Sequence, residues 1–163
     1  MSDAIERELK IPTDANPHEL FAEWFAEAKE ANMKYPDALY VATVDDDGLP
    51  DVRTVLLKEH DERGFVFYTN FESRKGEQLQ AHPKAAAVMY WEPLDRQVRI
   101  RGDVEPVSKD EADAYFASRH PNSRRGAWAS LQSRPMDNRE EFVERFADID
   151  KQYSGDDVPR PPH

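Results

Sequence analysis

Cationic and hydroxyl side chains recur at the ends of apolar runs and at helix starts, in a chain whose net charge is −11. Arg53-Thr54-Val55-Leu56-Leu57-Lys58 places one cation at each end of an apolar segment. On a regular strand these two face opposite sides, so they serve two ligands, or a bulge intervenes, or both are solvated strand ends. Tyr68-Thr69-Asn70 closes the next apolar run, and Ser73-Arg74-Lys75 opens a helix. Free N–H groups, a hydroxyl and two cations at a helix start suit an anion, although they equally suit an ordinary serine cap with exposed cations. Tyr115 and Arg119 fall four apart on one expected helix, with Ser123 just past its end. A phenol, a guanidinium and a hydroxyl that converge suit a phosphate monoester; the alternative is a core tyrosine and an arginine paired with an acid. Gln97, Arg99 and Arg101 share a strand face opposite Val98 and Ile100, which is a site or a solvated face. Trp128 reads as a core anchor.

Several chemistries lack their residues. The glycines, at 48, 64, 76, 102, 126 and 155, never approach the spacing of a dinucleotide fingerprint or a P-loop, so any phosphate must be held by side chains and helix ends. No H-E-x-x-H pair and no G-x-S-x-G elbow occurs, and the absence of cysteine removes disulfides, thiolate metal sites and a thiol nucleophile. No metal is expected.

The elements that must position these residues follow from periodicity. Asn16-Pro17-His18-Glu19 is a helix start, and Leu20, Phe21, Trp24, Phe25, Ala28 and Ala31 form its apolar stripe up to Pro36. The period then changes to two. Strands are expected at Ala38–Val44, Val52–Lys58 and Phe65–Thr69, with turns at Asp45-Asp46-Asp47-Gly48 and Asp61-Glu62-Arg63-Gly64. A short helix covers Ser73–Ala81, and Ala85–Trp91 pairs with Gln97–Val104 around Pro93-Leu94-Asp95. Ser108-Lys109-Asp110-Glu111 is a capping box opening a helix to about Arg119, where Pro121 follows. A last helix, Asn138 to Tyr153, buries Phe142, Phe146, Ile149 and Tyr153, with Gly155 as its cap. Hairpins without sustained strand–helix alternation favour an antiparallel barrel or α+β domain.

Length and composition fit one domain: a mobile arm at 1–15, the body at 16–157 and an extended proline-rich tail at 158–163. A 39% hydrophobic fraction supports a packed core, and the negative charge disfavours nucleic acid or an anionic membrane as partner. With no export signal and no apolar run approaching the ~20 residues of a membrane span, a cytoplasmic protein is expected.

Six segments in order carry a resemblance: Arg53–Lys58, Phe67-Tyr68-Thr69-Asn70, Ser73-Arg74-Lys75, Arg96-Gln97-Val98, Tyr115-Phe116-Ala117-Ser118-Arg119-His120-Pro121 and Gly126-Ala127-Trp128-Ala129-Ser130-Leu131-Gln132-Ser133. Together they closely resemble the pyridoxine/pyridoxamine 5′-phosphate oxidase family, from about Leu20 to Pro162. The resemblance implies an antiparallel FMN-binding split β-barrel with flanking helices, acting as a homodimer with FMN at the subunit interface. It implies that Arg53, Thr54, Val55, Leu56, Leu57, Lys58, Tyr68, Thr69, Arg74, Lys75 and Gln97 contact FMN. Gln132 and Ser133 would reach it from the partner subunit. Arg53, Arg74 and Lys75 would serve its phosphate end, while Lys58, Tyr115, Arg119 and Ser123 hold the phosphate of the B6 substrate. The implied reaction oxidises pyridoxine or pyridoxamine 5′-phosphate to pyridoxal 5′-phosphate with O2 as acceptor, and uses no dedicated protein nucleophile.

The family pattern continues past the proline-rich tail with a W-G-G segment and two more strands, bearing a flavin-contacting Trp, an Arg-x-His pair and a further FMN-binding Arg. This sequence ends at His163. The expectation is therefore a C-terminally shorter member, with a barrel edge left unpaired and the flavin less covered. Two other readings are a split-barrel flavoprotein with another substrate and a non-catalytic binder of flavin or B6 phosphate.

Overall fold

The computed structural model describes residues 14–163; the expected arm falls outside the described residues except for Asp14 and Ala15. Helix α1 spans Pro17–Glu30, and the Asn16 side chain accepts the His18 N–H at 2.9 Å. Pro17 costs nothing there, because the first N–H of a helix has no partner within it. Phe21, Phe25 and Ala28 lie on the buried side.

Strands β1 (Ala38–Val44), β2 (Pro50–Leu56), β5 (Lys84–Trp91) and β6 (Arg96–Asp103) form one antiparallel sheet in the order β2-β1-β5-β6. Strands β3 (Glu59–Asp61) and β4 (Gly64–Val66) form a separate antiparallel pair. The β1–β2 turn uses Gly48 at φ 79°, where a Cβ would strain the backbone, and Asp45 accepts the N–H groups of Asp47 and Leu49. Alternation sends Leu39 and Val41 of β1 and Met89 and Trp91 of β5 inward against Phe21, Phe25 and Ala28. Burying each large apolar side chain there is worth about 1.5–3 kcal/mol. Trp91 also donates its indole N–H to the Pro36 carbonyl at 2.9 Å. The opposite sheet face leaves Tyr40, Val52, Leu56 and Tyr90 exposed.

Four helices follow or interrupt the strands: α2 (Arg74–Ala81), α3 (Lys109–Ser118), α4 (Pro121–Ala129) and α5 (Arg139–Gln152). The Ser108–Glu111 capping box forms with both of its hydrogen bonds. Helix α2 packs unusually close to the preceding loop. A Cβ on Gly76 would lie 2.5 Å from the Phe71 carbonyl oxygen and 2.6 Å from that of Asn70, so only glycine allows this approach.

The expected antiparallel sheets and flanking helices are present, with local corrections. The strand expected at Phe65–Thr69 ends at Val66, and the one expected at Val52–Lys58 ends at Leu56, because the chain bends there into β3. The helix expected to run to about Arg119 is α3, with Arg119 as its cap in extended backbone at ψ 150°. Pro121 starts α4 instead of only ending α3, so Ser123, expected just past the end of α3, is itself helical. Trp128 stands half-buried on α4, not in the core, and donates to the Pro159 carbonyl. Tyr153, not Gly155, caps α5, and Phe142, Phe146, Ile149 and Tyr153 are half-buried. Among the described residues no helix is long and apolar enough to cross a membrane.

Candidate cofactor and substrate site

Two cations on β2 and α2 each have neutral side-chain acceptors. Arg53 points from β2 toward the core side of the sheet. Its Nη1 donates to the Thr43 hydroxyl at 2.6 Å and to the Val41 carbonyl at 3.2 Å, and its Nη2 donates to Gln78 Oε1 at 3.2 Å. Thr43 in turn donates to Gln78 Oε1 at 2.5 Å, closing a three-residue ring of contacts. Lys75, 9% exposed, donates to Ser73 Oγ at 3.2 Å and to Gln132 Oε1 at 3.0 Å. Burial, and secondarily the charge on Arg53, lower its pKa. Ser73 caps α2, and the helix start therefore adds backbone donors to these side chains.

One carboxylate stands at the rim. Asp51 Oδ2 is 2.8 Å from Arg53 Nη2 and 3.6 Å from Arg74 Nε, while Asp45 lies 3.8 Å from Arg74. Arg53 and Arg74 thus already converge on a single anionic oxygen. This is what the sequence pattern required of them if both serve one phosphate.

A second feature is an open cavity of about 1930 Å³. Tyr68 and Thr69 reach it from the segment after β4, Tyr115 and Arg119 from α3 and its cap, Ser123 from α4, and Gln132 from the loop beyond. Its wall carries six Arg or Lys side chains against four Asp or Glu, whereas the whole chain has 22 against 33. An acidic protein has therefore concentrated positive charge in one hollow, which favours an anionic ligand. Tyr68 and Tyr115 stack with ring centres 3.7 Å apart and planes 4° from parallel. The Tyr68 hydroxyl donates to Glu59 at 3.0 Å; burial, then that carboxylate, push its pKa up to about 12, so the phenol stays protonated. The Arg119 guanidinium lies 5.7 Å from the Phe116 ring centre. The 158–160 segment is tied to this wall by Trp128 on Pro159 (2.7 Å) and by Arg160 on Asp113 (2.6 Å).

The remaining sequence-expected residues lie elsewhere. Lys58 is not on the cavity wall that Tyr115, Arg119 and Ser123 share; it is exposed and 3.5 Å from Asp37. It lies past the end of β2, so the strand alternation expected between Arg53 and Lys58 does not extend to it. Val55 packs on the core and Leu57 is buried. Thr54, Leu56 and Gln97 face outward on the sheet, Gln97 opposite Tyr90. Ser133 is exposed in the left-handed region at φ 66°, and Gln132 contacts Lys75 within one chain.

Sequence reasoning missed Thr43, Gln78 and Asp51. Gln78 had a signal, since it falls three residues after Lys75 on the same helix face. Asp51 and Thr43 had another: the hairpin register sets Asp51 opposite Thr43 and Arg53 opposite Val41.

A family model described as pyridoxamine 5′-phosphate oxidase matches residues 25–153. Two similar proteins, both named pyridoxine/pyridoxamine 5′-phosphate oxidase, come from Myxococcus xanthus (strain DK1622) and Caulobacter vibrioides (strain NA1000 / CB15N). The first is 57% identical over 95% of this chain and 74% of its own. The second is 54% identical over 93% of this chain and 68% of its own. Among solved structures, PhzG from Burkholderia lata 383, in complex with tetrahydrophenazine-1-carboxylic acid, aligns with a TM-score of 0.85 at 30% identity, covering 93% of this chain and 74% of that one. A pyridoxamine 5′-phosphate oxidase-related, FMN binding protein from Nostoc punctiforme PCC 73102 shares the fold, with a TM-score of 0.61 at 22% identity over 79% of this chain and 72% of that one. Matched along most of its length by the family model and by relatives more than half identical, the chain belongs to the pyridoxamine 5′-phosphate oxidase family.

Proposed function

We propose that this protein is an FMN-dependent oxidase that converts pyridoxine or pyridoxamine 5′-phosphate to pyridoxal 5′-phosphate with O2 as acceptor. The observation that carries this reading is the cationic cavity wall where Tyr115, Arg119 and Ser123 stand together, in a chain 57% identical to a relative named for that activity.

The residues fit FMN. Among the described residues Lys75 is a buried cation with no carboxylate among its hydrogen-bond partners, and the Gln78 amide nitrogen is buried without a partner. Both leave positive potential that an anion would satisfy. Arg53, Arg74 and Lys75 would hold the phosphate end, with Tyr68, Thr69, Gln97 and the 54–58 segment along the rest of the cofactor. Gln132 and Ser133 would reach it from a second subunit. When bound, the flavin supplies the two-electron acceptor and a path to O2.

The protein's part is binding and alignment. Arg119, Ser123 and Tyr115 would fix the substrate phosphate and so hold the reacting carbon in place, whereas Lys58, off this wall beside Asp37, would have to leave that carboxylate to join them. Tyr68 stays protonated across the working range and therefore donates its hydroxyl hydrogen to Glu59 without releasing it. The exposed apolar side chains Tyr40, Val52, Leu56 and Tyr90 give the outer sheet face the composition of a subunit interface, which supports a homodimer. The four-stranded and two-stranded sheets would be the parts of a split barrel, in a cytoplasmic enzyme.

Arg119→Ala tests the phosphate clamp. A hydrogen bond to a charged group is worth roughly 1.5–3 kcal/mol, so kcat/KM for the phosphorylated substrate should fall about 10- to 150-fold. Unphosphorylated pyridoxine should change little. Proportional loss for both would make Arg119 structural and remove the clamp from the reading.

A further inference from the structure

We infer that Gln78 is a positioning residue that aims Arg53 at the cofactor phosphate through a neutral acceptor; this inference deepens the FMN reading and rests on it. Arg53 sits on β2, whereas Arg74 and Lys75 sit on α2, and side chains on two separate elements must share one target. Gln78, 5% exposed, is a buried side chain that spans the two, whereas Asp51 joins Arg53 and Arg74 at the exposed rim. It leaves α2 one turn after Lys75, and its single carbonyl oxygen accepts from Arg53 Nη2 at 3.2 Å and from Thr43 at 2.5 Å. Thr43 holds the other arm of the guanidinium at 2.6 Å. The orientation of the amide follows from this pattern. Turned over, its NH2 would face the Arg53 guanidinium, donor against donor.

The chemistry of the acceptor matters as much as its position. A carboxylate at position 78 would hold the same guanidinium more firmly, but would cancel the charge that an incoming phosphate needs. A neutral amide fixes the fork and adds no negative charge beyond that of Asp51, which lies 2.8 Å from Arg53 Nη2 at the rim. The structure shows what this choice costs: Gln78 Nε2 is buried with no partner. Among the described residues that donor faces no acceptor, a cost that an apolar side chain at position 78 would not carry.

Gln78→Glu and Gln78→Met separate the two roles. The flavin-stripped protein is titrated with FMN and, in parallel, with riboflavin, which has the same ring system and no phosphate; thermal unfolding of each variant is followed alongside. Gln78→Glu should keep the fold and riboflavin affinity while weakening FMN about 10-fold or more, the range expected for a charge-assisted contact. Gln78→Met, which leaves Arg53 charged but unheld, should weaken FMN by less, again without moving riboflavin. The ratio of the two affinities is the readout, because a purely structural defect would lower both together. If the unaltered protein itself fails to prefer FMN over riboflavin, the cofactor reading is wrong. If it prefers FMN and both variants preserve that preference, the cofactor reading stands and the role given to Gln78 is overturned.

Discussion

At Arg53 and Arg74 the protein has placed two guanidinium groups around Asp51, an acid that must compete with any phosphate arriving there. The Asp51 side chain is 38% exposed, so its attraction is screened and falls in the range of exposed pairs, about 0.2–1 kcal/mol. Asp51→Asn should therefore tighten FMN about 1.5- to 5-fold in a low-salt titration, with the gain shrinking as salt is added. Riboflavin should not respond. Weaker FMN binding in this variant would instead make Asp51 a support for Arg53. The cations were visible in the sequence because each interrupts or brackets an apolar run. Their partners were not, because Thr43, Asp51 and Gln78 come together only through the β1–β2 register and the seating of α2.

At the scale of elements, α1 is docked on the β3–β4 hairpin by an aromatic cluster with a titratable ring in it. His60 meets Phe21 edge-on at 5.0 Å and Phe25 at 5.6 Å. Its pKa lies below the usual 6.5, first because burial disfavours the charged ring, then because of the Lys29 charge; Asp61 opposes this and His18 adds to it. A lowered histidine pKa means that the unfolded chain binds the proton first as pH falls. Stability from the neutral ring is therefore complete above pH 6.5 and is lost as pH drops through the folded value. Unfolding followed by denaturant between pH 7.5 and about 5 should show this decline, and His60→Gln should flatten it. An unchanged slope in the variant would assign the decline to other groups; the lowered carboxyls of Asp61, Glu111 and Asp113 titrate in a more acidic window. Helix α1 was legible from its cap and stripe, and the β1–β2 and β5–β6 hairpins from their alternation. Helix α4 was not, because Pro121 both ends one helix and begins another, and a proline carries the same signal in either role.

Across the whole molecule, charge is sorted by position. The chain carries −11, yet cations outnumber acids along the large open cavity among the described residues. Composition disfavoured polyanionic surfaces as partners and was silent on this local reversal, whose cations come from β6, α3 and its cap, the β3–β4 turn and Arg160. The order of motifs along the chain was what conveyed the family, and with it a cofactor that no glycine-rich loop announced. The central claim is that flavin, phosphate recognition and oxidation belong to one site. Its most direct measurement follows pyridoxal 5′-phosphate and peroxide together, from pyridoxine 5′-phosphate under air, with the flavin-stripped protein, with FMN restored, and with unphosphorylated pyridoxine as substrate. The account predicts equal amounts of aldehyde and peroxide only when FMN and the phosphorylated substrate are both present. Flavin that binds without aldehyde appearing, or equal rates with and without the substrate phosphate, would contradict it.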